Sequence, residues 1–297
     1  MKLIQKTHNP SVLSAYIELT KPRILTLILV TTAIGFFLGG HGIHSFQSFS
    51  KLLLTLLGAA CTCAGASALN HYLERDVDGK MDRTRLRPIP MGVIKPTSAM
   101  LYGIVLILFG VIELCWKVNL LTAFLSLLTA FLYVLVYTPM KRVTWLNTTI
   151  GAIPGAIPPM GGWAAASGDL GLGAWVLFLI LFVWQHPHFY AIAWMLKDDY
   201  KKAGFKMLPV VHPDGKSTFL QIIIFSIVLV PVSILPATIG MSGRIYFGGA
   251  LFLSLLLLGV GSAFAISRST HDAHRLLRAT VFYLPLLLFL IIFDLNF

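Results

Sequence analysis

Charge is what this sequence holds least of. Asp, Glu, Lys and Arg make up 12% of its 297 residues, against about 25% in an ordinary soluble domain. A soluble globular reading is excluded by the complement: 57% of residues are hydrophobic and mean hydropathy is +0.81. Cysteine is nearly absent too. Cys61, Cys63 and Cys115 all lie inside apolar stretches, which excludes a disulfide framework and leaves small buried residues as the main reading, with redox or metal roles behind it. Acidic residues number twelve against 23 basic ones, for a formal charge of +11. Such an excess can mark nucleic-acid binding. Here the basic residues stand between apolar blocks, where they set membrane topology instead. No secretory signal stands apart from the first block, and the N-terminus lacks the Arg/Ser-rich pattern of a mitochondrial transit peptide.

What is present is a series of apolar blocks, each near the ~20 residues needed to cross a bilayer as a helix. Nine can be read between charged or Pro/Gly breaks: 24–40, 52–72, 100–116, 120–137, 145–166, 174–195, 219–239, 246–266 and 277–293. The short link at Lys117-Val118-Asn119 makes the third and fourth an antiparallel hairpin. Alternate loops hold 20 of the 23 lysines and arginines, together with the N-terminal tail. By the positive-inside rule that side is cytoplasmic and contains the N-terminus. The expectation is a single all-α, multi-pass domain over 1–297 in a bacterial inner or plasma membrane, with 1–20 as a cytoplasmic tail.

Orientation needs only Lys and Arg, yet seven of the twelve acidic residues fall in two of these cytoplasmic loops. In the first, Asn70, Glu74, Asp78 and Asp82 recur every fourth residue. If the second span continues as a helix, each step turns roughly 40° past a full circle, so the first three share a face. One amide and two carboxylates there suit Mg²⁺, a hard cation that keeps waters and is completed by substrate phosphates. Arg83, Arg85 and Arg87 follow, and their planar forks suit the phosphate. A helix end laced with its own salt bridges is the alternative. In the second loop Asp198 and Asp199 stand among Lys197, Lys201 and Lys202, either as a second Mg²⁺–phosphate site or as solvated surface. His186 and His188 flank Pro187 and can be ligands to iron or satisfied packing residues; the same choice applies to His71. Tyr137 and Lys141 lie four apart at the end of the fourth span. Glycines and prolines from Gly151 to Gly162 interrupt the fifth, either lining a cavity or allowing close packing.

Asn70-x-x-x-Glu74-x-x-x-Asp78, followed by Arg83-Thr84-x-x-Arg87-Pro88, resembles the first signature of the UbiA superfamily of intramembrane prenyltransferases. Within it the chain is similar to the members that prenylate haem. That closer likeness rests on Leu19-Thr20-Lys21-Pro22-Arg23, Tyr137-Thr138 with Lys141-Arg142, Gly155-Ala156-x-Pro158-Pro159, Trp184-Gln185-x-Pro187-His188-Phe189, and Asp199-Tyr200-x-x-Ala203-Gly204 with Met207-Leu208-Pro209-Val210. Glu74 stands where the superfamily generally has Asp. The second acidic motif lacks the Asp-x-x-x-Asp spacing of the quinone-forming relatives, which argues against that branch.

The resemblance implies nine membrane helices around a central cavity and a reaction of haem B with farnesyl diphosphate and water, giving haem O and diphosphate. It implies Mg²⁺ held by Asn70, Glu74, Asp78, Asp198 and Asp199, and catalysis by Asn70, Glu74, Asp78, Asp82, Tyr137 and Lys141. It implies diphosphate binding by Arg23, Arg83, Arg87, Lys141 and Lys202, and haem contact by His188 with His186 beside it. Its partners would be the two substrates, the bilayer and a downstream haem-modifying enzyme or oxidase assembly, not nucleic acid. A prenyltransferase for a quinone precursor or chlorophyllide is the near rival. A transporter is the distant one, although transporters place their charges near the bilayer midplane and this chain gathers its carboxylates at one edge.

Overall fold

The computed structural model describes residues 11–296, and residues 1–10 of the expected tail lie outside them. The described remainder of that tail is not extended chain. It forms helix α1 (Val12–Leu19), capped by the Ser11 hydroxyl. Ala15 and Leu19 of α1 are fully buried against Ala68, Ile89, Ile94 and Ala99.

The other helices are α2 (Pro22–Gly39), α3 (Phe46–Asp78), α4 (Pro96–Lys117), α5 (Leu120–Phe131), α6 (Thr138–Met140), α7 (Asn147–Ser167), α8 (Leu172–Met195), α9 (Lys197–Lys202), α10 (Leu208–Val211), α11 (Lys216–Thr238), α12 (Arg244–Ser267) and α13 (Thr270–Phe293). A π-helical stretch, Leu132–Tyr137, joins α5 to α6, so Leu120–Met140 runs as one segment. Among the described residues the only β pairing is an isolated antiparallel bridge between Ser242 and Leu295.

Eight of these segments are long and apolar enough to cross a membrane. Helix α7, with 21 residues, has the length for it at about 1.5 Å per residue, but its glycines, threonines and prolines dilute its apolar character. The chain is a multi-pass membrane protein. Large apolar side chains point outward as lipid-facing residues do: Leu101, Val105, Leu108, Phe109 and Ile112 are exposed along α4, and Phe282, Phe289 and Phe293 along α13.

Helix α3 positions the site. It starts with a reciprocal capping box between Ser45 and Ser48 and runs 33 residues. At ~1.5 Å each that is ~50 Å, well beyond the ~30 Å hydrocarbon core, so its last turns emerge from the membrane carrying Asn70, Glu74 and Asp78. Small residues seat α4 against it: a Cβ on Gly65 would meet the Gly103 carbonyl oxygen at 2.5 Å, and one on Gly103 would meet the Gly65 oxygen at 2.8 Å. Such small-residue contacts let two membrane helices approach backbone to backbone. The α4–α5 connection is the expected tight hairpin. Asn119 caps α5 by accepting from Thr122 N at 2.8 Å and ties the hairpin to α7 by donating to Ala164 O at 2.8 Å.

Three prolines sit inside α7 without breaking it. Its small residues allow close packing at two heights. Gly162 lets α7 cross against the α2 backbone at Thr32, whereas Gly151 and Gly155 face the Tyr137 ring and the Gln185 amide. The largest apolar core lies among α8, α11, α12 and α13, around Leu177, Ile180, Tyr190, Tyr246, Phe264 and Leu287.

Candidate active site

Asn70, Glu74 and Asp78 are buried at 0%, 4% and 0% exposure, and each is met by a cation from a different part of the chain. Lys21, between α1 and α2, donates from Nζ to Asn70 Oδ1 at 2.6 Å and to the Tyr133 hydroxyl at 3.1 Å. Lys141, just past α6, reaches Glu74 Oε1 at 2.8 Å. Arg87 Nη1 contacts both oxygens of Asp78, at 2.7 and 2.6 Å. The Asn70 amide also donates to Thr138 Oγ1 at 3.0 Å, whose hydroxyl donates to Tyr133 O. A helix interrupted by a π-turn is what places Tyr133, Tyr137, Thr138 and Lys141 on one wall, a common use of such turns at functional sites.

The two half-buried lysines differ electrostatically. Burial, with Arg87 and Lys141 adding like charge, pushes the Lys21 ammonium down to about 7. Burial opposes the charge of Lys141 as well, but the Tyr137 phenol and the Glu74 carboxylate hold it above the ordinary lysine range. Lys141 also lies over the Tyr137 ring, 4.7 Å from its centroid. One lysine has a carboxylate and the other has only neutral oxygens.

The loop after α3 folds back over the site. The Thr84 hydroxyl donates to Asp78 O at 2.8 Å, and Met81 packs with Tyr200, Phe205 and Met207. The two acidic loops therefore meet. Lys202 bridges Asp82 at 2.6 Å and Asp199 at 3.7 Å, and Arg83 N donates to Asp199 Oδ2 at 3.4 Å. The hydrogen bond and charge of Lys202 hold Asp82 below the usual carboxylate range, and Asp82 raises Lys202 in turn. The second loop is tied to the first wall by Lys206 N donating to Lys141 O at 2.7 Å and Asn147 Nδ2 donating to Lys206 O at 3.0 Å.

Two residues expected in the cluster lie apart from it. Asp198 is exposed on α9; only its neighbour Asp199 turns toward the first loop. Arg23 is exposed on α2, and among the described residues no hydrogen bond or ion pair joins it to the cluster. Lys21 takes the inward place. It precedes Pro22, which disfavours the right-handed helical region for it, and it adopts a left-handed φ of 52°. That turn sends Lys21 in and leaves Arg23 out. The signals for Lys21 and Tyr133 are a lysine before a helix-starting proline and a phenol four residues ahead of Tyr137.

The histidines are distinguished by their partners. His186 is fully buried; its Nδ1 donates to Phe182 O at 2.8 Å, its Nε2 lies 3.2 Å from Thr149 Oγ1, and its ring stacks on Phe225. Both nitrogens and one face are taken. His188 stacks on Trp184 and uses Nδ1 alone, with Thr280 Oγ1 at 2.9 Å.

A hard-oxygen donor set, ringed by half-buried cations, suits a divalent cation bridged to a diphosphate. Among the described residues no three His, Cys, Asp or Glu side chains gather into a self-sufficient metal cage. The UbiA prenyltransferase family model matches residues 28–289. The chain belongs to the UbiA prenyltransferase family. Among UbiA relatives, the protoheme IX farnesyltransferase of Solibacter usitatus is 49% identical over 285 residues, covering 94% of this chain and 98% of that one. That of Salinibacter ruber is 44% identical over 280 residues, with 94% and 98% covered. The fold is similar to that of a digeranylgeranylglyceryl phosphate synthase, with TM-score 0.81, 17% identity, and 96% of this chain and 99% of that one covered. It is also similar to a UbiA homolog from Archaeoglobus fulgidus bound to GPP and Mg²⁺, with TM-score 0.65, 19% identity, and 94% and 99% covered.

Proposed function

We propose that this chain transfers the farnesyl group of farnesyl diphosphate to a vinyl group of haem B, with addition of water, giving haem O and diphosphate. The observation that carries the reading is the pairing of each oxygen donor on the α3 face with its own cation. Asn70, Glu74 and Asp78 would hold Mg²⁺, and Lys21, Lys141 and Arg87, each beside one of them, would face the diphosphate oxygens. Bound Mg²⁺ supplies Lewis-acid stabilisation of charge on the departing diphosphate. Lys141, charged through its place beside Glu74 and Tyr137, supplies the same stabilisation from the protein. Asp82 and Asp199, joined through Lys202 and with Arg83 beside them, form the outer edge of the diphosphate site.

In the transfer the C–O bond to diphosphate breaks and a vinyl carbon bonds to farnesyl C1. Water then adds to the neighbouring carbon and loses a proton, leaving a hydroxyethylfarnesyl arm. The Tyr133 and Tyr137 rings, with centroids 5.8 Å apart, offer π-faces to the allylic cation. His188 is the imidazole assigned to the haem, because His186 is committed on both nitrogens. Nine spans including α7, a central cavity, a cytoplasmic N-terminus and a bacterial cell membrane complete the reading, and they place two apolar substrates where both are soluble.

The deciding experiment incubates purified protein with haem B, farnesyl diphosphate and Mg²⁺ and analyses the pigment by mass. A product heavier by one farnesyl group and one hydroxyl supports the reading. Unchanged haem alongside prenylation of a quinone precursor or chlorophyllide would move the chain to that branch.

A further inference from the structure

We infer that Thr280, on α13, is a positioning residue that fixes the tautomer of His188 and leaves Nε2 as a bare lone pair for the iron of the haem substrate. This rests on the reading that His188 meets the haem. The Thr280 hydroxyl has a single proton, and it lies 2.7 Å from Leu277 O. A carbonyl oxygen can only accept, so the proton is committed there. The contact of 2.9 Å between Thr280 Oγ1 and His188 Nδ1 must then run the other way, with Nδ1–H donating. A neutral imidazole protonated on Nδ1 is unprotonated on Nε2, the state that binds a metal.

Trp184 completes the clamp. Its Nε1 donates to Thr280 O at 2.9 Å, and its ring stacks on the His188 ring at a centroid distance of 5.0 Å and an interplanar angle of 24°. The ring is therefore fixed in plane by Trp184 and in tautomer by Thr280, while Nε2 has no hydrogen-bond partner among the described residues. Ligating histidines are commonly held through the other nitrogen in this manner. The two fully buried histidines lack the arrangement: His186 spends both nitrogens, and His71, 2% exposed with neither nitrogen partnered, has nothing to fix its tautomer. His274 donates from Nδ1 to Thr270 O at 2.7 Å, but it is exposed at the start of α13.

The test uses the full chain in detergent or nanodiscs, with ferric haem B as the probe and farnesyl diphosphate binding as the control. Thr280→Val keeps the shape of this fully buried side chain and removes the acceptor. It should weaken haem binding by about tenfold or more and shift the Soret band, with farnesyl diphosphate affinity within twofold of the parent. Thr280→Ser should restore both haem affinity and spectrum. If Thr280→Val matches the parent in spectrum and haem affinity while His188→Ala changes both, Thr280 does not position the ligand. A folded Thr280→Ser that fails to restore them overturns the inference as well. Should His188→Ala itself leave haem binding untouched, the assignment of His188 fails first, and the role of Thr280 with it.

Discussion

Lys141 Nζ and Glu74 Oε1 meet at 2.8 Å across 67 residues of sequence, with side chains only 12% and 6% exposed. Removing one charge of such a pair strands the other in a low-dielectric site. We expect Lys141→Met to destabilise the protein by about 3–5 kcal/mol, read as a fall in thermal midpoint in detergent. Glu74→Gln combined with Lys141→Met should recover much of that loss without recovering activity. If the double variant is as unstable as the sum of the singles, the two groups are not coupled in the way the geometry states.

The α3 face separates two aspartates that are two residues apart. Asp78 is fully buried and held by both contacts from Arg87, whereas Asp76 is 74% exposed and pairs with Arg75 at 3.7 Å. Asp78→Ala should lower turnover by about a hundredfold or more with normal membrane insertion. Asp76→Ala should stay within about threefold, as expected of a surface pair. Equal losses from both changes would refute a site built on one face of α3.

A four-residue period of one amide and two carboxylates was enough to place Asn70, Glu74 and Asp78 on one face, because helical geometry alone decides it. The cations facing them were harder to read. Arg23 was expected and Lys21 is found, since the choice depends on a left-handed turn at a lysine before proline. Lys141 and Tyr137 were legible as neighbours four apart. The π-turn at Leu132–Tyr137 that brings Tyr133 and Thr138 in with them leaves no periodic trace. His186 and His188 look alike in sequence, and only the side chains of α7, α11 and α13 tell them apart. α1 read as tail because eight residues are too few to show a buried face when its partners, Ile89 and Ile94, lie 70 residues on.

Lys21 gives the site a pH dependence. Its ammonium is pushed down to about 7 from an ordinary 10.5, so near neutral pH it is only partly charged. An arriving diphosphate favours the charged form, and binding above pH 7 therefore takes up a proton. Affinity for farnesyl diphosphate should fall as pH rises from about 7 to about 9, by up to tenfold per unit. The sign for stability follows from the same shift. Burial of a depressed lysine penalises the fold fully below pH 7, and the penalty fades as pH rises toward 10.5. Calorimetric titrations of Lys21→Met should show a flatter affinity profile. A variant that keeps the parent slope would assign the proton to another group.

Topology follows from the distribution of Lys and Arg and from the meeting of the two acidic loops. Twenty of 23 basic residues fall on one side if the chain crosses nine times as proposed, and Lys202 physically joins the loop after α3 to α9. Both loops must then share a membrane face. Lys80 and Lys201 are exposed there, while Lys117 is exposed at the far end of α4. With Cys61, Cys63 and Cys115 replaced, single cysteines at positions 80 and 201 should resist a membrane-impermeant thiol reagent in intact cells and react in inverted vesicles. A cysteine at position 117 should show the opposite pattern. α7 makes the count decisive: if it did not span, the loops after α3 and α8 would fall on opposite sides, and positions 80 and 201 would label in different preparations. That result would also be incompatible with the Lys202 bridge, so one experiment tests the ninth span and the joined site together.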